Sequence, residues 1–293
     1  MKRQILCIYH ANCADGFTAA WIVRNRFKNV EDCELEFHPG KYGEEPPNCE
    51  GKTVIIVDFS YPKEVLEKMN EKAWGVLVLD HHQSAQKELR HFPNADFKDW
   101  LPDGRHNVQC KFDMNRSGAM IAFNYFFPES KPGSLIKHVQ DRDLWLFKDG
   151  NTKAFQTNLF SYEYTFENWD KINNICADDY KYHQFISEGQ ALLRKHEKDV
   201  REYIEVSAYE TEIDGHLVPV INCPYQWGSD ACHILCQGKP FAAYYYDSSN
   251  GRRVYGLRSD ENGLDVSEIA KKFGGGGHKH ASGFKINRLT VVS

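Results

Sequence analysis

Three apolar runs, at residues 5–9, 53–57 and 75–79, carry almost no polar interruption. Runs of this length without alternation predict strands buried on both faces, not strands with one side in water. The first is followed, after a loop with Gly16, by helical spacing over 17–27, and the second by helical spacing over 63–70. Such alternation predicts a mostly parallel sheet covered by helices on both faces. Ligands in these sheets collect at the carboxyl ends of the strands. There the chain has His10 after the first run, Asp58 after the second, and Asp80, His81 and His82 after the third.

Residues 117–127 and 134–139 also have helical spacing, the latter leading into Gln140-Asp-Arg-Asp-Leu-Trp145. The aromatic and polar stretch 151–182 predicts only helical fragments. Residues 188–206 predict a charged amphipathic helix whose few large apolar residues include Leu192, Leu193 and Ile204, a pattern suited to a connector with a solvated face. Beyond it the texture changes to strands at 218–221, 240–246 and 253–258. The last two are expected to pair as a hairpin across Asp247-Ser-Ser-Asn-Gly251. A helix over 266–273 then runs into Gly274-Gly-Gly-Gly-His278. The expected organisation is an α/β domain over 1–187, a helical connector over 188–206 and a smaller α/β domain over 207–293.

Composition narrows the chemistry. The formal net charge of −5 argues against a surface that holds long nucleic acid by counterion release. Nine cysteines with no Cys-x-x-Cys spacing argue against a disulfide framework or a zinc ribbon. The N-terminal apolar run is too short for a secretory signal, and no later window approaches a membrane span, so a reducing cytoplasm is expected. His10, Asp15, Asp58, His81 and Asp141 form a set of oxygen and nitrogen donors that suits Mn²⁺, Mg²⁺ or Fe²⁺. Asp58, at the end of a middle strand, is the candidate bridge between two ions. Taken singly, each residue has an ordinary explanation, as a loop histidine or a helix cap. Together on one sheet edge, that many like charges require a cation. Asp143 competes with Asp141, since both lie near the end of one segment. Gly275, Gly276 and Gly277 are expected to turn backbone N–H groups toward an anion, with Arg258 and His278 adding charge.

The order of these elements, with Asp80-His81-His82 at the third strand and Gly274-Gly-Gly-Gly-His278 near the C-terminus, resembles the DHH family of phosphoesterases with a C-terminal DHHA1 domain. The resemblance implies a metal-binding catalytic domain, a substrate-binding domain, and an active site in the cleft between them. It implies two divalent ions, usually Mn²⁺, and hydrolysis of phosphodiesters or phosphoanhydrides by activated water. Carried onto this chain, His10 and Asp15 would hold one ion, His81 and Asp141 the other, and Asp58 both. His82 would stand behind the ligands or touch the phosphate. Arg258, Gly275, Gly276, Gly277 and His278 would hold the substrate's terminal phosphate or base. One departure is the loop His10-Ala-Asn-Cys-Ala-Asp15-Gly-Phe17, one residue longer than the family's, with Phe17 where a second acid would stand. Asn12 is the residue expected to compensate. The expected substrates are short oligonucleotides or linear or cyclic dinucleotides, released as nucleoside monophosphates, with Tyr244, Tyr245, Tyr246 and Tyr255 as stacking surface. A phosphoanhydride hydrolase of exopolyphosphatase or pyrophosphatase type, and a nucleotide sensor without turnover, are the alternatives. No membrane partner is expected, and a homodimer is left open.

Overall fold

The computed structural model describes residues 2–95 and 107–287. The last residues of the second expected domain, 288–293, lie outside the described residues, as do Met1 and 96–106. Two compact units, Met1–Leu193 and Arg194–Ser293, divide the chain.

In the first unit β1 (Arg3–His10) leads into α1 (Ala14–Phe27), followed by β2 (Cys33–Gly40), β3 (Thr53–Val57), α2 (Lys63–Asn70) and β4 (Gly75–Asp80). After α3 (Gln83–Leu89) come β5 (Val108–Phe112) and α4 (Gly118–Phe126). The five strands form one sheet in the order β2-β1-β3-β4-β5, with every neighbouring pair parallel. Successive side chains of a strand point to opposite faces, and here both faces are apolar. Ile5, Cys7, Ile55, Val57, Leu77 and Leu79 join one core with α1 and α4. Leu6, Ile8, Val54, Ile56, Val76 and Val78 join the other with Leu66 and Met69 of α2. Burial of each such aliphatic side chain stabilises the fold by about 1.5–3 kcal/mol, which explains the absence of polar interruption in the runs. The edge strand β2 has no such run, and its residues other than Gly40 are exposed or only partly buried.

Four helices follow: α5 (Ser134–Asp143), α6 (Thr152–Leu159), α7 (Phe166–Cys176) and the long α8 (Asp179–Ser207). The aromatic stretch that predicts only fragments is thus α6, α7 and the start of α8. Trp169 of α7 is fully buried, and its indole N–H donates to Thr18 Oγ1 of α1 at 2.9 Å. The boundary between the two units falls inside α8.

The second unit contains β6 (Tyr209–Ile213), β7 (His216–Asn222), α9 (Tyr225–Leu235), β8 (Ala242–Asp247), β9 (Arg252–Arg258), α10 (Val266–Lys272), β10 (Gly276–His278) and β11 (Ala281–Asn287). Its sheet runs β10-β11-β9-β8-β7-β6. All pairs are antiparallel except β7 with β8, which α9 connects, as a parallel neighbour requires a crossover. Tyr244 lies in a slot between two glycines: a Cβ on Gly256 or Gly228 would meet its ring at 2.1 or 2.4 Å. Packing therefore occupies Tyr244, and the expectation of a stacking surface there is corrected. Tyr245 faces Tyr255 across β8 and β9 with centroids 5.4 Å apart.

Candidate active site

The strand order sets the site. From β1 the chain moves outward to β2 and then returns to the other side of β1 to build β3, β4 and β5, so the connections diverge between β1 and β3. A crevice opens at such a switch point, beyond the carboxyl ends of the strands. His10 ends β1, Asp58 follows β3, and Asp80 ends β4 with His81 and His82 directly behind it. Asp58 has φ of 54°, in the left-handed region. For a residue with a Cβ this conformation costs about 1–3 kcal/mol and persists only where its surroundings enforce it. The N–H of Asp58 donates to Leu79 O at 2.9 Å, which ties the turn to β4. Gly118, the first residue of α4, lies so close that a Cβ would meet the Cβ of Asp58 at 2.4 Å, and one on Gly16 of α1 would meet that of His10 at 2.8 Å. Two glycines thus let two helix starts close on the strand ends.

Around His81, which is 5% exposed, Nε2 lies 3.0 Å from Asp58 Oδ1, 3.6 Å from Asp143 Oδ2 and 4.0 Å from Asp15 Oδ2. His10 Nδ1 lies 3.6 Å from the other oxygen of Asp58, Oδ2. That oxygen is buried and has no hydrogen-bond partner. Donor atoms of Asp15, Asp58 and His81 lie within 4.8 Å of one another, and so do donor atoms of His10, Cys13 and Asp58. Asp58 belongs to both groups. The division of ligands differs from the expected one: Asp15 groups with His81 and Asp58, whereas Cys13 joins His10.

Asp15 is held by the start of α4, its Oδ2 accepting the N–H of Gly118 at 2.6 Å and its Oδ1 that of Ala119 at 3.1 Å. Helix N-termini favour a carboxylate there. Against that, burial and the neighbouring Asp58 and Asp143 push its pKa well up. Burial also pushes on Asp58, but the imidazoles of His10 and His81 outweigh it and hold Asp58 well below the ordinary carboxylate range. For His81 burial works against the charged form, yet Asp143, Asp58 and Asp15 prevail and raise its pKa well above the usual value. Burial raises Asp143 against the pull of His81. Three carboxylates around one imidazole, with one buried oxygen unpartnered, form a donor set with surplus negative charge that fits a divalent cation.

Asp141 does not join this set. Its Oδ1 accepts the N–H of Lys148 at 2.9 Å, and its Oδ2 accepts from Asp149 N at 3.2 Å and Thr152 Oγ1 at 2.6 Å. Its carboxylate closes the loop between α5 and α6, which corrects its assignment as a ligand. Asp143, at the end of α5, reaches His81 instead. Asp80, fully buried, is likewise taken by hydrogen bonds: Oδ1 accepts from His81 N at 2.7 Å and pairs with His82 Nδ1 at 2.7 Å, and Oδ2 accepts from Ser60 Oγ at 2.7 Å. Burial opposes charge on His82, but Asp80 overcomes it and raises the pKa. Asn12 is exposed with φ of 56°, turning the loop so that the next residue, Cys13, enters the site. Sequence reasoning passed over Cys13; its signal was its place between His10 and Asp15.

In the second unit the glycine run has more than one task. Gly274 has φ of 75°, and its N–H donates to Lys271 O at 3.0 Å while that of Gly275 donates to Ala270 O at 2.8 Å. This pair of bonds is a Schellman closure of α10. The N–H of Gly275 is thereby engaged, and its expected role as an anion donor is corrected. Gly276, Gly277 and His278 form β10 against β11. Arg258 donates from Nη1 to Leu257 O and from Nη2 to Ser229 Oγ, both at 2.8 Å.

The DHHA1 domain profile matches residues 235–292. The chain therefore carries a DHHA1 domain in its second unit. It is 30% identical over 307 residues to Uncharacterized protein R106 of Acanthamoeba polyphaga mimivirus, an alignment covering 98% of this chain and 69% of that protein. It is 24% identical over 253 residues to Oligoribonuclease NrnB of Bacillus subtilis, covering 80% of this chain and 59% of NrnB, so it spans less than two thirds of that relative. Among solved structures, a pGpG-specific phosphodiesterase from Vibrio cholerae aligns over 98% of this chain and 94% of its own, at 15% identity and a TM-score of 0.47.

Proposed function

We infer that the chain is a divalent-metal-dependent phosphodiesterase that hydrolyses short oligonucleotides or dinucleotides, linear or cyclic, to nucleoside monophosphates. The observation that carries this reading is Asp58: 1% exposed, common to three donor groups, and with one oxygen left without a hydrogen bond. His10, Asp15, Asp58, His81 and Asp143 would hold the ions, with Mn²⁺ the first choice for the oxygen-rich group. When bound, divalent ions supply Lewis-acid charge to the phosphoryl group and lower the pKa of the attacking water. The rest is done by side chains. Asp80 fixes the ring of His82 through Nδ1 and favours its protonated form, so that Nε2 can donate to a phosphate oxygen. The N-terminus of α4 keeps Asp15 in place. The first unit would be catalytic and the second would bind substrate, with His278, Gly276 and Gly277 as its phosphate contacts. The net charge of −5 and the name of the relative NrnB, an oligoribonuclease, favour short strands over long ones. Nine free cysteines suit the cytoplasm.

A phosphoanhydride hydrolase is the second reading, favoured by one observation: Tyr244 is packed between glycines and offers no stacking face to a base. One experiment separates the two. Wild type, Asp58→Ala and His81→Ala are incubated with Mn²⁺ and a 5′-phosphorylated dinucleotide, a cyclic dinucleotide, a longer RNA or tripolyphosphate, and the products are resolved chromatographically. Monophosphates from the short nucleotides with wild type alone are expected. Phosphate from tripolyphosphate alone would move the assignment to the second reading, and no product from any substrate would leave a nucleotide sensor.

A further inference from the structure

The loop between β1 and α1 brings the thiol of Cys13 to the strand-end donors. A sulfur on Cys13, an imidazole nitrogen of His10 and a carboxylate oxygen of Asp58 lie within 4.8 Å of one another. Cys13 has extended backbone dihedrals, φ −123° and ψ 129°, as the residue capping α1, yet its side chain makes no capping bond. Nor does it belong to either apolar core of the first unit, unlike Cys7, Cys49 and Cys110. A cysteine that neither caps nor packs, and that faces a histidine and a buried carboxylate, is placed for ligation. An independent observation marks the same spot. Asp58 Oδ2, buried and without a hydrogen bond, lies 3.6 Å from His10 Nδ1. An orphaned carboxylate oxygen at 1% exposure is costly unless a cation completes it.

We propose that Cys13 is a metal ligand, so that the His10–Cys13–Asp58 position takes a thiophilic divalent ion of the zinc, cobalt or iron(II) class. The position formed by Asp15, Asp58 and His81, with Asp143 beside it, keeps oxygen and nitrogen donors and the harder ion they suit. Thiolate sulfur selects softer ions than carboxylate oxygen does, so the two positions differ in kind. On binding, the thiol releases its proton to solvent and the sulfur lone pair forms the new bond, with no change of oxidation state. This inference rests on the reading of the strand ends as a metal site, but concerns which ion enters and through which atom.

The test is Co²⁺ binding by equilibrium dialysis, with near-ultraviolet absorption recorded on the same samples. Wild type and Cys33→Ser should both bind Co²⁺ and show a sulfur-to-cobalt charge-transfer band. Cys13→Ser should lose the band and at least about tenfold in affinity at this position, the low end of what even a residue behind a ligand costs. Alkylation of wild type by iodoacetamide, located by mass spectrometry, needs no variant: Co²⁺ should protect Cys13 and leave Cys33 unchanged. Bound Co²⁺ without a band in wild type, a band that survives in Cys13→Ser, or equal alkylation of Cys13 with and without Co²⁺ would each overturn the assignment while leaving the hydrolytic reading intact. A band without hydrolysis of any substrate would do the reverse. Failure of wild type to bind Co²⁺ at all would remove both.

Discussion

Asp141 and Asp143 stand two positions apart on one helix, which is more than half a turn, so their carboxylates leave α5 in different directions. One closes a loop and the other faces His81. Substitution should separate them. Asp143→Asn should lower metal affinity and turnover by at least on the order of tenfold, with little change in stability. Asp141→Asn should leave turnover close to wild type and cost about 1–3 kcal/mol in a urea melt, because Lys148 N, Asp149 N and Thr152 lose a charged acceptor. The reverse pattern would restore Asp141 as the ligand. Sequence alone brought these two acids to the right segment but could not rank them, because the register of a helix end depends on packing that neighbouring residues do not encode. Cys13 is not legible for a different reason: a loop thiol among nine cysteines carries no pattern of its own.

At the level of elements, three helices meet at His138, a buried residue of α5. Thr152 of α6 gives its hydroxyl proton to Asp141, so His138 Nδ1 must donate to Thr152 Oγ1, at 2.9 Å. Its Nε2 then accepts from Tyr182 Oη of α8, at 2.8 Å, which requires a neutral ring. Burial lowers the pKa of His138 from its ordinary 6.5, in keeping with that tautomer. Because the folded value lies below the unfolded one, the stabilisation is fully present above about pH 6.5 and is lost as pH falls toward the lowered folded value. His138→Gln, which keeps a donor and an acceptor, should flatten the acid side of a plot of unfolding free energy against pH below 6.5; an unchanged slope would show that other groups cause it. The strands β1, β3 and β4 were legible because both of their faces are core, whereas β2 and β5 carry polar residues at the sheet edges. The glycine run illustrates the opposite difficulty. Glycine just beyond a helix closes it as readily as it cradles an anion, and in α10 the first two glycines do the former.

Across the whole molecule, negative charge concentrates where the first unit needs a cation. Asp15, Asp58 and Asp143 gather around His81 in a chain whose net charge is already −5. An ion that binds only the folded state should stabilise it, by about 2.7 kcal/mol at a hundredfold excess over its dissociation constant. Thermal melts with Mn²⁺ and with a chelator should therefore differ by several degrees in wild type and coincide in Asp58→Ala. Equal melting of wild type in both conditions would exclude a tightly held ion. Among the described residues no helix is long and apolar enough to cross a membrane. The order in which the donors occur has a further result. His10 ends the first strand, Asp15 lies in the first turn of α1, Asp58 follows the third strand, His81 the fourth, and Asp143 ends α5, so no local segment contains a complete set. Helices and hairpins can form early from near neighbours, but pairings between distant parts of a chain form late because the loop entropy must be overcome first. During synthesis His10 emerges long before Asp143, and the growing chain must hold its first strand without the ion until the remaining donors have left the ribosome.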